Sequence, residues 1–227
     1  MIEVKDLTVR IGGSTIIRGI SFKVPDGSVF ALVGPNGAGK TTTLKAVMGL
    51  LRHGGSVLLD GEDLSALGPS ERAARGIGYA PEDRRLFPSL TVEENLNLPV
   101  ASLGISRKRV EEVLELIPAL KGLLKRPAYA LSGGQQKLVA LARALVVGRR
   151  AILLDELFEG LSPKMRDDLS IVIKQVAREW GVSVILAESN QRYVAFADAV
   201  ARIDRGQLVQ GYPWPGSSPD PPQSKNR

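Results

Sequence analysis

The chain has 227 residues, 44% hydrophobic and 24% charged, with a formal net charge of +6, the make-up of a globular protein with a sizeable core. It has no cysteine, which excludes disulfides and thiolate metal sites and suits a reducing compartment. No apolar run approaches the ~20 residues a membrane-spanning helix needs; the positive charge points equally to an anionic nucleotide, nucleic acid or an anionic membrane face.

Residues 2–9 and 16–24 alternate apolar and polar side chains around Gly12-Gly13-Ser14, which predicts an antiparallel pair. The opening MIEVKDLTV reads as strand and lacks a leader peptide's apolar centre. Val29–Val33 is apolar throughout and of strand length. It runs into Gly34-Pro35-Asn36-Gly37-Ala38-Gly39-Lys40-Thr41, then into Thr42 and a stretch to residue 51 with helical periodicity. A strand, a glycine-rich loop ending in Lys-Thr and a helix together make a phosphate-binding loop. Gly34, Gly37 and Gly39 let successive N–H groups line a concave anion nest, and the positive end of the helix adds to it. Lys40 is expected to reach the β- and γ-phosphates and the Thr41 hydroxyl to hold Mg²⁺. The expected ligand is a nucleoside triphosphate. A glycine-rich turn with a chance Lys-Thr is the plainer alternative.

A short strand follows at 56–59, a helix at 69–75 and an apolar strand at 77–80 that ends on Pro81. Thr91 with Glu94 three residues on has the form of a capping box. Helical spacing then continues over 91–129, through Val92, Leu96, Val110 and Val113, and predicts a helical insertion within an α/β core. Further helices are expected at 134–147 and over Pro163–Trp180. Strands are expected at 151–154 and 182–187, and a strand–turn–strand over 199–209. This alternation argues for a mainly parallel sheet covered on both faces. The last residues, 212–227, carry proline, serine and charge without periodicity, so a flexible tail is expected. Paired basic residues such as Arg84-Arg85 and Arg149-Arg150 read mainly as solvated surface, and His53, the single histidine, as part of a surface turn.

Two further strings carry chemistry. Ser132-Gly133-Gly134-Gln135 opens a helix: it is either a capping turn or a second phosphate grip, with a hydroxyl and free N–H groups aimed at an anion. Downstream, the apolar run from Ala151 ends in Asp155-Glu156. Asp155 is the expected partner of Mg²⁺, and Glu156 is placed to polarise a water against a γ-phosphate.

In this order the strings resemble the ATP-binding-cassette (ABC) ATPases, over residues 1 to about 211. The resemblance implies an α/β P-loop NTPase fold: a RecA-like mixed sheet with an antiparallel β subdomain and a helical subdomain near 91–147. It implies ATP and Mg²⁺, and two cassettes facing head to tail, each ATP lying between the phosphate loop of one and Ser132–Gln135 of the other. The implied partners are a second ABC ATPase subunit, as a hetero- or homodimer, transmembrane permease subunits and, indirectly, a solute-binding protein. No nucleic acid is expected, and the implied location is the cytoplasmic face of the cell membrane.

A finer resemblance lies in Pro81-Glu82-Asp83-Arg84-Arg85-Leu86-Phe87-Pro88 and Glu159-Gly160-Leu161-Ser162-Pro163. It is similar to the ATPase subunits of branched-chain amino-acid and urea importers. Glu82 stands where most cassettes carry a Gln that contacts Mg²⁺ and the attacking water. Leu86, Phe87 and Leu90 are candidates for docking a permease helix. Three positions depart from the family. Ile11 replaces an aromatic residue that stacks on adenine, a contact worth about 1–3 kcal/mol on nucleic acids. Leu157-Phe158 replaces Pro-Thr. Ser189 replaces a histidine that bonds the γ-phosphate. The reading is therefore an ATP-hydrolysing importer subunit. A hydrolysis-impaired regulatory half of a heteromeric pair and a soluble, non-transport cassette protein are the alternatives.

Overall fold

In chain order β1 (Ile2–Ile11), β2 (Ser14–Val24) and β3 (Val29–Val33) lead into α1 (Lys40–Val47), β4 (Gly54–Leu59), β5 (Glu62–Asp63), α2 (Pro69–Ala74) and β6 (Ile77–Ala80). Then come α3 (Val92–Leu103), α4 (Lys108–Leu116), α5 (Gly133–Val147), β7 (Ala151–Asp155), α6 (Pro163–Trp180), β8 (Ser183–Glu188), β9 (Ala199–Asp204) and β10 (Gln207–Gly211). The computed structural model describes residues 1–211, so the tail expected over 212–227 lies outside the described residues.

The strands form two sheets. One is antiparallel, in the order β2-β1-β4-β5; the other runs β10-β9-β3-β8-β7-β6, parallel from β9 to β6, with β10 antiparallel at one edge. The β1–β2 pair is the one its alternation predicts, closed at Gly12 and Gly13 with φ of 55° and 83°. Every residue of β3, β7 and β8 is buried, as strands covered on both faces must be. Period-2 alternation divides β3 between two cores. Phe30 and Leu32 face the antiparallel sheet and α1, packing with Ile2, Leu44 and Val47, while Val29, Ala31 and Val33 face α5, α6 and the helical region. Each Val, Leu, Ile or Phe among them contributes about 1.5–3 kcal/mol by leaving water. Phe22 of β2 stacks on Phe30 of β3 with ring centroids 4.9 Å apart, joining the two sheets.

Helix α1 ends at Val47, four residues before its periodicity does. Gly49 takes φ +78°, its N–H donates to Ala46 O at 3.0 Å, and the Leu50 N–H donates to Lys45 O at 2.8 Å; these are the paired bonds of a Schellman terminus. Arg72, only 1% exposed, completes that end, its guanidinium donating to Ala46 O at 2.9 Å and Val47 O at 2.7 Å. A cation here satisfies carbonyls that the helix cannot. A Cβ at Gly49 would lie 2.9 Å from Arg72 Nε, so the glycine also makes room for the arginine. His53 lies 3.1 Å from Arg72 through Nε2. It is half-buried support for this cap, not a free surface turn.

The Thr91–Glu94 capping box forms as predicted: the Glu94 N–H donates to Thr91 Oγ1 at 3.2 Å and the Thr91 N–H to Glu94 Oε2 at 2.7 Å. The helical spacing over 91–129 breaks into α3, α4 and two 3₁₀ turns (Pro118–Leu123, Ala128–Ala130), with Gly104 at φ +64° closing α3. Helix α5 packs directly on β6 and β7. Among the described residues no helix is long and apolar enough to cross a membrane.

Candidate functional site

The phosphate loop leaves the end of β3 through a passage that admits no side chain. A Cβ on Gly34 would stand 2.3 Å from Ile203 O, and one on Gly39, at φ +115°, would stand 2.6 Å from Ile17 Cδ1. The turn between β9 and β10 holds the loop from outside, Gly206 N donating to Ala38 O at 2.9 Å. Nothing in the sequence signalled that contact, because the hairpin is remote in the chain. No side chain caps α1 at Gly39, which leaves the first-turn N–H groups directed at the loop's concave face, ready for an anion.

Lys40 is 5% exposed. Its ammonium donates to Gly34 O at 2.8 Å, Pro35 O at 3.2 Å and Ser189 Oγ at 3.0 Å, and lies 3.1 Å from Glu156 Oε1. Thr41 Oγ1 donates to Asp155 Oδ1 at 2.9 Å, and the Tyr79 hydroxyl donates to Oδ2 at 3.2 Å. Burial raises Asp155 to about 6 against these two hydrogen bonds, and the charges of Glu82 and Glu156 add to the rise. A carboxylate so desolvated gains strongly from a cation. The donor set of Thr41, Asp155 and Glu82 is all oxygen, which suits a hard ion such as Mg²⁺. Among the described residues no cluster of three or more His, Cys, Asp or Glu could hold a metal. A site completed by a ligand's phosphates is the form Mg²⁺ prefers, so the residues fit.

Glu156 has φ +48°, a left-handed backbone that costs a non-glycine residue about 1–2 kcal/mol. Its carboxylate accepts from Ser189 twice, from the hydroxyl at Oε1 (2.5 Å) and from the N–H at Oε2 (3.2 Å). Burial would raise this carboxyl, but the bonds from Ser189 and the Lys40 ammonium outweigh burial and hold it below the usual range. The Ser189 hydroxyl also lies 2.8 Å from the Asn36 side chain. Serine's short reach therefore ties Glu156, Lys40 and the phosphate loop into one knot. Glu188, fully buried next to it, is raised to about 8 by burial, against the Phe158 N–H and with the Glu156 charge adding. Sequence reasoning passed over Glu188: a carboxylate ending an apolar strand gives no sign of which way it points.

Of these groups Lys40, Thr41 and Glu156 line a cleft of about 690 Å³, with Asn36, Gly37, Gly39, Thr42 and Glu82. Ile11, 48% exposed, stands on its rim. Ile16 and Glu159 also line it and were not anticipated; only the closure of β2 over α1 brings Ile16 there. None of Ser132, Gly133, Gly134 and Gln135 lines this cleft. Ser132 instead caps α5: its Oγ accepts from Gln135 N at 3.3 Å while Gln135 Oε1 accepts from Ser132 N at 3.0 Å. The basic pair at 84–85 is not simply solvated. Arg84 and Arg85 have φ of 62° and 44°, Arg84 is half-buried, and its guanidinium donates to Gln136 Oε1 at 2.7 Å, tying the Glu82 loop to α5. Phe87 is 53% exposed, whereas Leu86 packs on the core.

The model of the ABC transporter family matches residues 17–159. The chain is 36% identical over 211 residues to "Fe(3+) ions import ATP-binding protein FbpC 2" of Rhodococcus jostii, covering 92% of this chain and 61% of that protein's length. It is 35% identical over 198 residues to "Probable branched-chain amino acid transport ATP-binding protein LivF" of Archaeoglobus fulgidus, covering 86% of this chain and 84% of that one. In structure it is similar to a bacterial ABC transporter cassette solved as a dimer, with TM-score 0.85 and 25% identity over 96% of this chain and all of that one (100%).

Proposed function

The chain belongs to the ABC transporter family, and from that premise we propose that it binds and hydrolyses ATP as the energising subunit of an importer. The observation that carries the reading is the Lys40–Glu156–Ser189 knot beside the Thr41–Asp155 pair, of which Lys40, Thr41 and Glu156 line one cleft along the phosphate loop. ATP entering the loop offers Lys40 phosphate oxygens in place of the Gly34 and Pro35 carbonyls. Glu156, released from the ammonium, is then free to accept a proton from an attacking water. A magnesium ion held by Thr41, Asp155 and the phosphates would draw charge off the γ-phosphate. Ser189 keeps Glu156 aimed as this exchange occurs.

The separation of Ser132–Gln135 from this cleft supports a second cassette, whose own loop would receive that helix N-terminus. Permease subunits and a solute-binding protein complete the assembly, which places the chain at the cytoplasmic face of the membrane. Exposed Phe87, with Leu86 and Leu90, is the proposed permease contact. For the solute we favour branched-chain amino acids or a related small molecule, supported by Glu82, the Glu159–Pro163 string and the relative in Archaeoglobus. Relatives named for iron and for spermidine and putrescine mark the other outcomes. A second reading, a slow regulatory half of a heteromeric pair, is favoured by one feature: Ser189 holds Glu156 where the family's histidine would meet the γ-phosphate. Single-turnover hydrolysis with Mg²⁺ and the partner cassette separates the two. We expect Glu156→Gln to lower the rate by about 10²–10³-fold; an unchanged rate removes the catalytic reading.

A further inference from the structure

Glu156 needs its backbone held, since a non-glycine residue keeps a left-handed φ only where neighbours over-determine it. Its N–H donates to Ala187 O at 2.9 Å, within reach of ordinary sheet geometry. Its carbonyl is held differently. The Lys137 ammonium donates to Glu156 O at 2.7 Å and to Glu159 O at 2.6 Å, so one cation spans both ends of the turn that follows β7. From the other side Glu188 Oε1 accepts the Phe158 N–H at 2.9 Å. Lys137 is 8% exposed and Glu188 0%. The bonds to Glu156 O and from the Phe158 N–H are buried, where a group that loses its partner to an apolar side chain is left unpaired. Neither side chain touches the phosphate loop.

We propose that Lys137 is a positioning residue for ATP hydrolysis: it holds the Glu156 and Glu159 carbonyls so that the Glu156 carboxylate faces the phosphate loop, with Glu188 steadying the same turn through Phe158. The inference rests on the hydrolytic reading given above. It predicts a defect in the chemical step and none in nucleotide capture, because the groups that would hold phosphate are untouched.

The test uses the full chain with its partner cassette. Lys137→Met is expected to lower single-turnover hydrolysis by about tenfold or more, the penalty of a misplaced reacting group. KM for ATP should stay within about twofold, as expected when an interaction made only in the transition state is lost. Lys137→Gln, neutral but with two N–H donors, should recover most of the rate. Should the methionine variant fail to fold, Lys137→Ala, which admits water to the carbonyls, serves in its place. Hydrogen exchange of amides 156–161 in the chain without nucleotide should quicken in the methionine variant and stay slow in the glutamine variant. A methionine variant with wild-type rate, a rise in KM at constant kcat, or unchanged amide exchange overturns the proposal. No hydrolysis by the wild-type pair, with exchange behaving as expected, overturns the hydrolytic reading instead.

Discussion

Gly34→Ala separates the geometry of the loop from its stability. Gly34 has no left-handed φ, so alanine meets no backbone strain there; its Cβ would instead lie 2.3 Å from Ile203 O, 3.0 Å from Ile203 Cγ2 and 3.2 Å from Ala38 Cβ. Carbon contacts are comfortable only beyond about 3.5 Å, so something must yield by about 1 Å. β9 cannot easily move, because it pairs with β3 from Phe30↔Ala199 to Val33↔Arg202. The loop moves instead, and with it the Gly34 carbonyl that holds Lys40. A shift of about 1 Å in groups that align reactants lowers turnover by about 10²-fold, equivalent to ~2.7 kcal/mol in the barrier. Gly181→Ala, at the end of α6 and outside the cleft, is the control: φ is +62° and no atom lies within 4 Å of the added carbon. It bears the left-handed penalty of about 1–2 kcal/mol in stability but leaves the loop in place. Steady-state ATP hydrolysis, fluorescent-nucleotide titration and thermal melting of both variants make the comparison. If Gly34→Ala keeps wild-type kcat/KM, or loses no more than Gly181→Ala, the steric argument is wrong.

Ile11→Tyr supplies the absent aromatic face at the cleft rim and should tighten purine nucleotides by about 1–3 kcal/mol; displacement of the fluorescent probe by ATP from wild type and variant reads it, and an unchanged affinity rejects the placement of the base. Arg72→Met strips buried carbonyls of donors at the end of α1 and should destabilise by about 3 kcal/mol, a fall of ~6–12 °C in Tm for a chain of this size; a fall under ~2 °C refutes the cap. Glu188, at about 8 in the folded chain against an ordinary 4.5, keeps a proton that the unfolded chain has already lost between those values. Linkage then makes stability fall as pH rises through that window. Glu188→Gln removes this contribution, so its Tm should decline less than the wild type's from pH 5 to 8.5; parallel curves would show that Glu188 is not held protonated.

The cleft was largely legible in the chain because its parts are short strings with one mechanical purpose each. A strand, three glycines, a lysine and a threonine can be read as a phosphate loop from local rules alone. Asp155 and Glu156 stand out as charges ending an apolar run. The capping box at Thr91 was equally local, as was the capping turn that Ser132 offered beside its reading as a phosphate grip. Misreadings arose where the deciding partner is distant in sequence. Helix periodicity ran past Val47 because it carries no account of Gly49 or of Arg72 arriving from α2. Arg84 read as surface because its acceptor, Gln136, belongs to another helix.

The order of residues along the chain determined which groups could bind phosphate and ion, since that chemistry is written in neighbouring side chains and in the backbone freedom of glycine. Folding decided which groups meet. Ser189 knots Glu156 to Lys40 because β8 lies between β3 and β7. Lys137 reaches the carbonyls of a strained turn because α5 packs across the sheet. The Ser132–Gln135 segment has no part in lining its own chain's cleft. These are contacts across long loops, fixed by packing two sheets around shared cores, and no local pattern encodes them.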